Sequence, residues 1–490
     1  MSDLADLRSV VERFVAGAAR PAILDPGEEP LPLTPGQWSI SEWGGRLVLQ
    51  AWNVERNLVR KIARLGQHRR DRLVLIAERF PKLEAELQIA DLDAPAGRDM
   101  ERRTSREAFR ERFQLILARE FPDWRLQEVS VETNLEESLS PVYARAFLRK
   151  GSNGMAAMAA PPDSLDPSGV LPVGLIWLEY LRQRETSFTI RNLCLYVPLR
   201  REAAVAARAA WLNPAHLGCQ LFRYDDRDRI APIDLSDAGN IDSTLPPCRH
   251  PAAPNAAAAV LDGLPREVAR VEQSDGSLSL RVRGLEFARW TNGKLSCGIG
   301  RRSRCRAETV VAMAREILRV RDPANVDRQH PLYSANPEGW LESEVRSDPA
   351  AIDASLLPAP IYGQVPVFAG RDRGAIDLAG IDHTGRLAVI ELKATEDLHL
   401  PFQALDYWMR VRKHLLAGDF ERQGYFPGRT MQRESPRILL VAPALEFHST
   451  METQLRALSP SIDITRIGLA GDWRKGLRVM FRLRGSEHPQ

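Results

Sequence analysis

The chain has 490 residues, a formal net charge of +3 at pH 7, 44% hydrophobic residues and 27% charged residues. This length corresponds to several domains, and this composition is typical of a globular protein, which excludes wholesale disorder and a fibrous repeat. No stretch approaches about 18 consecutive apolar residues, so we expect no membrane span. The small net charge of the whole chain does not by itself indicate a nucleic-acid partner.

Residues 1–100 predict an N-terminal helix followed by a β-rich module. Residues 3–19 place apolar side chains at helical spacing with charges between them, unlike the continuous apolar stretch of a secretory signal. Residues 38–90 alternate like strands and carry arginines on their polar faces. The five cysteines form no CxxC pair and no zinc-type spacing with histidine, so we expect a reduced, cytoplasmic protein without structural zinc.

Residues 101–265 predict an α/β middle domain. A helical period begins at about residue 104, where Thr104 is expected to cap the helix with Glu107 three residues later. Mixed helix and strand patterns follow. The alanine- and proline-rich segment 250–265 is the best candidate for a domain boundary.

Residues 266–323 predict a basic β-ribbon and a helix that connect to the last domain. The residues Thr291-Asn292-Gly293 predict a hairpin turn. Phe287 and Trp290 interleave with arginines, as a surface that follows a phosphate backbone and stacks bases would require, but a solvated strand face balanced by acids explains the pattern equally well. The candidate nucleic-acid-binding residues are Arg281, Arg283, Arg289, Arg301, Arg302 and Arg304.

Residues 324–490 contain the side chains that point to chemistry. The segment 374–393 reads as two strands joined by a tight turn. Glu391 and Lys393 share one face because strand side chains alternate, and a hairpin register would bring Asp377 opposite. Neighbouring carboxylates repel unless a cation joins them, and hard ions such as Mg²⁺ prefer these oxygen ligands. An ordinary ion pair at the end of a buried strand is the alternative.

Two helices are predicted to flank these strands. The first begins at the N-cap Asn336 and places Glu338 and Glu342 on the same stripe as its apolar residues, which is unusual for glutamate. The second carries Gln403 and Tyr407 four residues apart on one face. Such side chains can hydrogen-bond a phosphate or the lysine, whereas an exposed polar helix face is the alternative interpretation.

With these residues the last third of the chain resembles the PD-(D/E)xK nuclease superfamily. The segment QALDY, which holds Gln403 and Tyr407, resembles the QxxxY motif of its RecB-like branch. The resemblance implies a restriction-endonuclease-like core, a mixed sheet flanked by helices in the order α-β-β-β-α-β. It further implies Mg²⁺ or Mn²⁺ as cofactor and hydrolysis of phosphodiester bonds in nucleic acid, with DNA favoured. No proline precedes Asp377, which is a departure from the motif.

The resemblance also implies a metal site. Asp377 and Glu391 would ligate the ion with the carbonyl group of Leu392. Glu342 would be the acid of the first helix and would hold a metal-bound water, although Glu338 is an open alternative for that position.

The remaining catalytic roles implied by the resemblance belong to three residues. Lys393 would activate the attacking water, by orienting it or by removing its proton. Gln403 and Tyr407 would position the scissile strand.

We therefore expect an α/β multidomain protein whose C-terminal nuclease domain acts in DNA repair or in defence against foreign DNA. The order of elements over residues 104–200 predicts a second, degenerate fold of the same kind without its acids. The sequence has no GxxxxGK followed by Ser or Thr, so an ATP-driven step would need a separate helicase or ATPase subunit. The alternative is a catalytically inactive nucleic-acid-binding or scaffolding protein with a relict core.

Overall fold

The computed structural model describes residues 2–25, 28–43, 45–54, 56–79, 83–237, 241, 243–248, 263–273, 276–325, 327–366 and 375–487. The chain forms two compact units, Met1–Glu202 with Gly218–Ile233 and Ala203–Leu217 with Asp234–Gln490. Both units mix helices with strands, as an α/β multidomain protein should. Among the described residues no helix combines the length and the apolar character that a bilayer crossing requires.

The first unit begins with the predicted helix and β-rich module. Its seven strands form one antiparallel sheet in the order β2-β1-β7-β6-β5-β4-β3, and the apolar side of the helix packs on one face of it. The elements are α1 (Ser2–Gly17), β1 (Pro21–Leu24), β2 (Leu31–Pro32), β3 (Trp38–Trp43), β4 (Arg46–Trp52), β5 (Asn57–His68), β6 (Arg72–Arg79) and β7 (Leu83–Asp91).

The following helix, α2 (Pro95–Glu120), begins earlier than the sequence predicts. Ala94 is its N-cap, and a proline occupies its first turn. Thr104, the predicted cap, is therefore a buried residue inside the helix. Gly97 permits the early start, because a Cβ atom there would lie 1.9 Å from the carbonyl oxygen of Asp91.

A six-stranded mixed sheet completes the first unit, in the order β13-β12-β11-β10-β9-β8. The segment Ala203–Leu217, which connects β11 to β12 and carries α4, belongs to the second unit. The elements are β8 (Arg125–Ser130), β9 (Ala144–Lys150), β10 (Asn153–Ala159), α3 (Val170–Arg184), β11 (Thr189–Pro198), α4 (Ala203–Ala209), β12 (Gly218–Tyr224) and β13 (Ile230–Pro232).

The second unit contains the predicted ribbon. Its five strands form an antiparallel sheet in chain order, and one helix packs on it. The hairpin turn is confirmed, with Asn292 at φ 49° and Gly293 at φ 77°. The elements are β14 (Val268–Glu272), β15 (Leu278–Val282), β16 (Leu285–Thr291), β17 (Lys294–Cys297), β18 (Ser303–Arg304) and α5 (Ala307–Val320).

A second six-stranded mixed sheet, in the order β19-β20-β21-β22-β23-β24, forms the rest of this unit. Every residue of β21 is buried, as predicted for a central strand. The elements are α6 (Pro331–Ser334), α7 (Pro337–Ser347), α8 (Pro349–Ile352), β19 (Tyr362–Pro366), β20 (Ala375–Ile381), β21 (Leu387–Leu392), α9 (Leu400–Ala417), α10 (Asp419–Arg422), β22 (Arg437–Pro443), α11 (Met451–Ala457), β23 (Ile464–Leu469) and β24 (Val479–Arg484).

The two six-stranded sheets have the same pairing pattern. Along each sheet the strands follow chain order, with two antiparallel pairings, then two parallel pairings, then one antiparallel pairing. The helix α2 precedes the first of these sheets, and α3 connects its strands β10 and β11. In the second sheet the corresponding helices are α7 and α9, and α9 connects β21 to β22. The order of elements predicted for residues 104–200 is therefore a real repeat of topology within the chain.

Backbone hydrogen bonds set the correspondence between the two sheets. The amide of Lys393 donates to Val441 at 3.0 Å, and the amide of Ala160 donates to Tyr196 at 2.9 Å at the matching place. Lys393 therefore corresponds to Ala160, and the residues two positions before them, Glu391 and Met158, also correspond. The first unit thus has a thioether where the last sheet has a carboxylate.

The residue paired with Met158 is Arg145, which takes the position of Asp377. Arg145 is only 5% exposed and donates to the carbonyl oxygen of Glu132 at 2.7 Å. An arginine and a methionine cannot replace two acids as ligands for a hard cation. The sheet of the first unit therefore lacks the chemistry that the last sheet carries at these positions.

The predicted division into residues 1–100, 101–265, 266–323 and 324–490 stays a prediction. Its second boundary, in the segment 250–265, lies for the most part outside the described residues.

The turn between β15 and β16 provides a test of how the ribbon positions α7. Gly284 has φ +76°, and a Cβ atom there would lie 1.8 Å from the carbonyl oxygen of Gly339 in the first turn of α7. We expect Gly284→Ala to lower the free energy of unfolding by about 1–3 kcal/mol beyond the backbone strain alone, and to lower the midpoint of thermal unfolding accordingly. Gly293→Ala is the matched control, because φ is +77° there and no atom lies within 4 Å of the added carbon. Equal midpoints for the two variants would contradict this contact.

Candidate active site

Two carboxylates face each other on neighbouring antiparallel strands. Leu378 of β20 pairs with Ile390 of β21, and continuing this register by one residue places Asp377 opposite Glu391. The Asp377 side chain accepts a hydrogen bond of 2.9 Å from the amide of Leu392. The register therefore brings the two predicted acids together, whereas the group of Leu392 that contacts Asp377 is its amide and not the carbonyl group predicted as a metal ligand.

Burial makes both acids hard to ionise. Loss of solvent raises the pKa of Asp377 to about 7, against the lowering effect of the hydrogen bond from the Leu392 amide, and the charge of Glu342 adds a smaller raising effect. Burial and the charge of Asp377 raise the pKa of Glu391 well above its usual range. Glu391 is 3% exposed, and its Oε2 atom is buried without a hydrogen-bond partner in the described part of the chain.

Lys393 follows β21 directly and places its ammonium group among acids. Its Nζ atom lies 3.1 Å from Oδ2 of Asp397 and 4.0 Å from Oε1 of Glu338. Burial alone would lower the pKa of Lys393, but the charges of Glu338 and Asp397 outweigh it, and the pKa is raised. Of the two predicted actions on water, orienting it fits this charged amine, whereas removing a proton does not.

Both candidate acids of the first helix lie near the carboxylate pair. Their charges both raise the pKa of Asp377. Glu338 is 47% exposed and approaches Lys393, whereas Glu342 is 7% exposed and forms an ion pair with Arg346 one turn later. The identity of the helix acid stays open between them.

The second flanking helix, α9, presents the predicted glutamine and tyrosine. Burial raises the pKa of Tyr407, and the charges of Glu391 and Asp377 raise it further, so its phenol stays protonated near the carboxylates. Gln403 has a buried Oε1 atom without a hydrogen-bond partner among the described residues. The electrostatic interactions therefore place Tyr407 near the two acids, and the position of Gln403 at the same site stays a prediction.

Asp397 is a site residue that the sequence interpretation missed. Besides its ion pair with Lys393, it accepts a hydrogen bond of 2.8 Å from the amide of His399, just before α9. In the sequence it reads as an ordinary turn residue. Its spacing of four residues from Lys393 was the only available signal, and that spacing is informative only on a helix.

Four of the six candidate nucleic-acid-binding arginines are engaged within the protein. Arg289 makes a two-point ion pair with Glu286, and Arg302 also binds Glu286. Burial lowers the pKa of Arg281, which the nearby charge of Glu342 opposes. Arg283 is stacked over the Trp340 ring at 5.5 Å. Their role in nucleic-acid binding stays a prediction.

The other two arginines, Arg301 and Arg304, are exposed. The aromatic part of the prediction is wrong for Phe287, which is 0% exposed and belongs to the core beneath the ribbon. Its place on β16 points it inward, because strand side chains alternate between the two faces. Trp290 is partly buried against the same core.

The donor set fits a small hard cation that keeps water ligands. Within the described ranges no three His, Cys, Asp or Glu side chains are arranged to enclose a metal by themselves. Asp377 and Glu391 supply two carboxylates, and Oε2 of Glu391 lacks a partner. Magnesium is commonly held by one or two carboxylates and several waters, so these residues fit Mg²⁺ or Mn²⁺.

Comparisons with known proteins leave the family open. No protein-family model matches the chain, and no curated protein matches it. One matching solved structure is named "Structure of EndoMS in apo form"; the match has 14% identity, covers 39% of this chain and 84% of that chain, and has a TM-score of 0.14. A similarity this weak supports no argument.

The raised pKa of Asp377 predicts a pH-dependent stability in metal-free protein. The Asp377 carboxyl does not lower the free energy of unfolding below its ordinary pKa of 3.8. The loss of unfolding free energy grows with pH as this carboxyl ionises in the unfolded chain, and it is complete above about pH 7. In EDTA, Asp377→Asn should therefore raise the midpoint of thermal unfolding more at pH 8 than at pH 5, by roughly 2–4 °C per kcal/mol removed.

Two arms complete this measurement. Asp472→Asn, at a side chain 51% exposed, should show no such pH dependence. Adding Mg²⁺ at pH 8 should stabilise the parent and leave Asp377→Asn unchanged. An Asp377→Asn midpoint that shifts equally at both pH values would refute the buried acid.

Proposed function

We propose that this protein is a Mg²⁺- or Mn²⁺-dependent nuclease of the PD-(D/E)xK type that hydrolyses phosphodiester bonds of DNA. The observation that carries the proposal is the register that sets Asp377 opposite Glu391, with Lys393 two residues further on and Oε2 of Glu391 unpartnered in the described structure. A buried Glu391 and a partly buried Asp377 that repel each other are destabilising, and a divalent cation would remove that penalty.

The order of elements around the acids supports a restriction-endonuclease-like core. Apart from the four-residue helices α8 and α10, the chain from α7 to β22 runs helix, three strands, helix, strand, which is the order that the resemblance implies. The acids lie on the second and third of these strands, and the lysine follows the third. Gln403 and Tyr407 on α9 support the RecB-like branch with its QxxxY motif.

In this proposal the ion is held by Asp377, Glu391 and the carbonyl group of Leu392. Such an ion polarises a phosphoryl oxygen and lowers the pKa of a bound water. Glu342 or Glu338 adds negative charge on the side of α7, where either one can hold a water by accepting its hydrogen bonds. Asp377 and Glu391 must both give up their protons before they hold the ion, so activity should fall below neutral pH.

The remaining polar groups act on the substrate. The Lys393 ammonium group stays charged, orients the attacking water and stabilises the negative charge that develops on the phosphate. Tyr407 keeps its proton and donates a hydrogen bond, and the Gln403 amide has both donor and acceptor groups. On this proposal the enzyme acts in the cytoplasm, in DNA repair or in defence against foreign DNA, with any ATP-driven step supplied by a separate helicase or ATPase subunit.

Cleavage of defined substrates tests the proposal. We expect the parent chain to degrade DNA with Mg²⁺ or Mn²⁺ and to leave it intact in EDTA, and we expect Glu391→Gln to lose at least about 100-fold in rate. Linear and circular DNA, single- and double-stranded, should be compared, because cutting of a circle requires internal cleavage. Glu434→Gln, at a carboxylate 61% exposed, is the control and should cut like the parent. A parent chain that cuts no polynucleotide with any ion would favour the inactive binding protein.

Lys393 can be tested by charge. If the ammonium group acts through its charge, Lys393→Arg should stay within about tenfold of the parent rate while Lys393→Gln loses about 100-fold. The cleavage rate of Lys393→Arg should still fall at acidic pH, because that fall is caused by protonation of the carboxylates. Equal loss in both variants would indicate that the lysine acts as a base.

A further inference from the structure

A cavity of about 510 Å³ opens at the end of the last sheet where β21, β22 and β23 stop. Ala394, the residue after Lys393, lies on its wall, and the ends of β22 and β23 form other parts of it. Because β21, β22 and β23 are parallel, these strand ends lie at one edge of the sheet, the edge that carries Glu391. The function proposed above does not use this cavity.

One arginine on the cavity wall, Arg474, has no hydrogen bond or ion pair with any described residue, and its Nε atom is buried without a partner. Its guanidinium group lies over the rings of Trp473 at 4.3 Å and Trp340 at 5.3 Å. Stacking holds the plane of the group in place but satisfies none of its five N–H donors. The side chain is therefore oriented and still able to bind an anion.

Two further arginines add positive charge behind this one. Arg321 and Arg283 also lie over the Trp340 ring, at 4.4 Å and 5.5 Å. Arg321 is 0% exposed and donates only to backbone carbonyl groups. Across the described residues none of the three guanidinium groups has a carboxylate ion pair, so the cluster favours an anion next to it.

The other groups of the cavity leave room for such an anion. The Glu446 carboxylate accepts a hydrogen bond of 3.2 Å from the amide of Glu396, and Arg478 lies 3.3 Å from Oδ1 of Asp472. Leu445 and Met480 form exposed apolar walls, at 96% and 59%. An unpaired cation beside apolar walls suits a phosphate joined to a sugar and a base.

We propose that this cavity binds a phosphate of the substrate strand, and that Arg474 is the residue that binds it. The identity of the strand rests on the proposed function, whereas the anion site rests on the cavity and on the arginine cluster. An internal phosphodiester and a terminal monophosphate present the same chemistry to Arg474. The substrates used in the test separate these two sources.

Binding of a fluorescein-labelled single-stranded oligonucleotide to the full chain in EDTA tests the site without cleavage. We expect Arg474→Gln to weaken binding roughly fivefold or more at low salt and to reduce the salt slope by about 0.7, the value of one lost phosphate contact. The control is Arg412→Gln, which removes a guanidinium group 5.3 Å from the ring of Trp211 and should bind like the parent. Parent affinity and slope in Arg474→Gln would overturn the proposal.

A second pair of variants keeps the test valid if Arg474→Gln does not fold. Met480→Glu adds a negative charge on the cavity wall at a side chain 59% exposed, and Leu416→Glu adds the same charge on α9 at a side chain 52% exposed. We expect only Met480→Glu to weaken binding. Equal affinities in the two variants would overturn the proposal.

Substrate ends and cleavage identify the source and separate the two hypotheses. An effect of Arg474→Gln on 5′-hydroxyl, 5′-phosphorylated and circular strands alike assigns the site to an internal phosphate, and an effect confined to 5′-phosphorylated strands assigns it to a terminal one. Weakened binding in a protein that cuts nothing would support the phosphate site and end the nuclease proposal. Cleavage that requires Glu391, together with unchanged binding by Arg474→Gln, would end the phosphate site alone.

Discussion

Two acids that repel each other, the buried Glu391 and the partly buried Asp377, are placed opposite one another by the pairing of two strands. The pairing of β20 with β21, continued by one residue, sets the backbone positions of Asp377 and Glu391 opposite each other. Burial then makes ionisation of both costly. A core built only for stability would have apolar side chains in place of such a pair.

The surroundings of the pair hold the compensating charges and the flanking helices in place. Lys393 is fixed by Asp397 and Glu338 and keeps its proton. The first turn of α7 packs against Gly284 of the ribbon, so the small connecting sheet positions the helix that carries the additional acids. On the other side, Arg208 binds Asp406 of α9 through two hydrogen bonds of 3.0 and 2.7 Å, beside Tyr407. Each element that carries a site residue is thus held by contacts outside the site.

The repeat of topology separates fold from chemistry. Two six-stranded sheets with the same pairing pattern occur in one chain, yet one carries Asp377 and Glu391 where the other carries Arg145 and Met158. The shared pattern provides two strands that present side chains at the same edge, and the residue types alone decide whether a cation is favoured there. For this reason the proposed function rests on the side chains of the last sheet and not on its architecture.

The amino-acid sequence alone determined the features that depend on short-range order. Alternation along 374–393 predicted two strands and the shared face of Glu391 and Lys393, and Asn292-Gly293 predicted its hairpin, because the local backbone conformation sets these features. Thr104 failed as a cap because the start of α2 depends on the close approach of Gly97 to Asp91, a contact that a local pattern does not contain.

Only the tertiary structure decided which side chains meet across distant segments. The partners of Lys393, the inward position of Phe287 and the stacking of Arg474 on Trp340 depend on elements that are far apart in sequence. The same is true of the charge states, because burial raises the pKa of Asp377, and burial is a property of the packed chain.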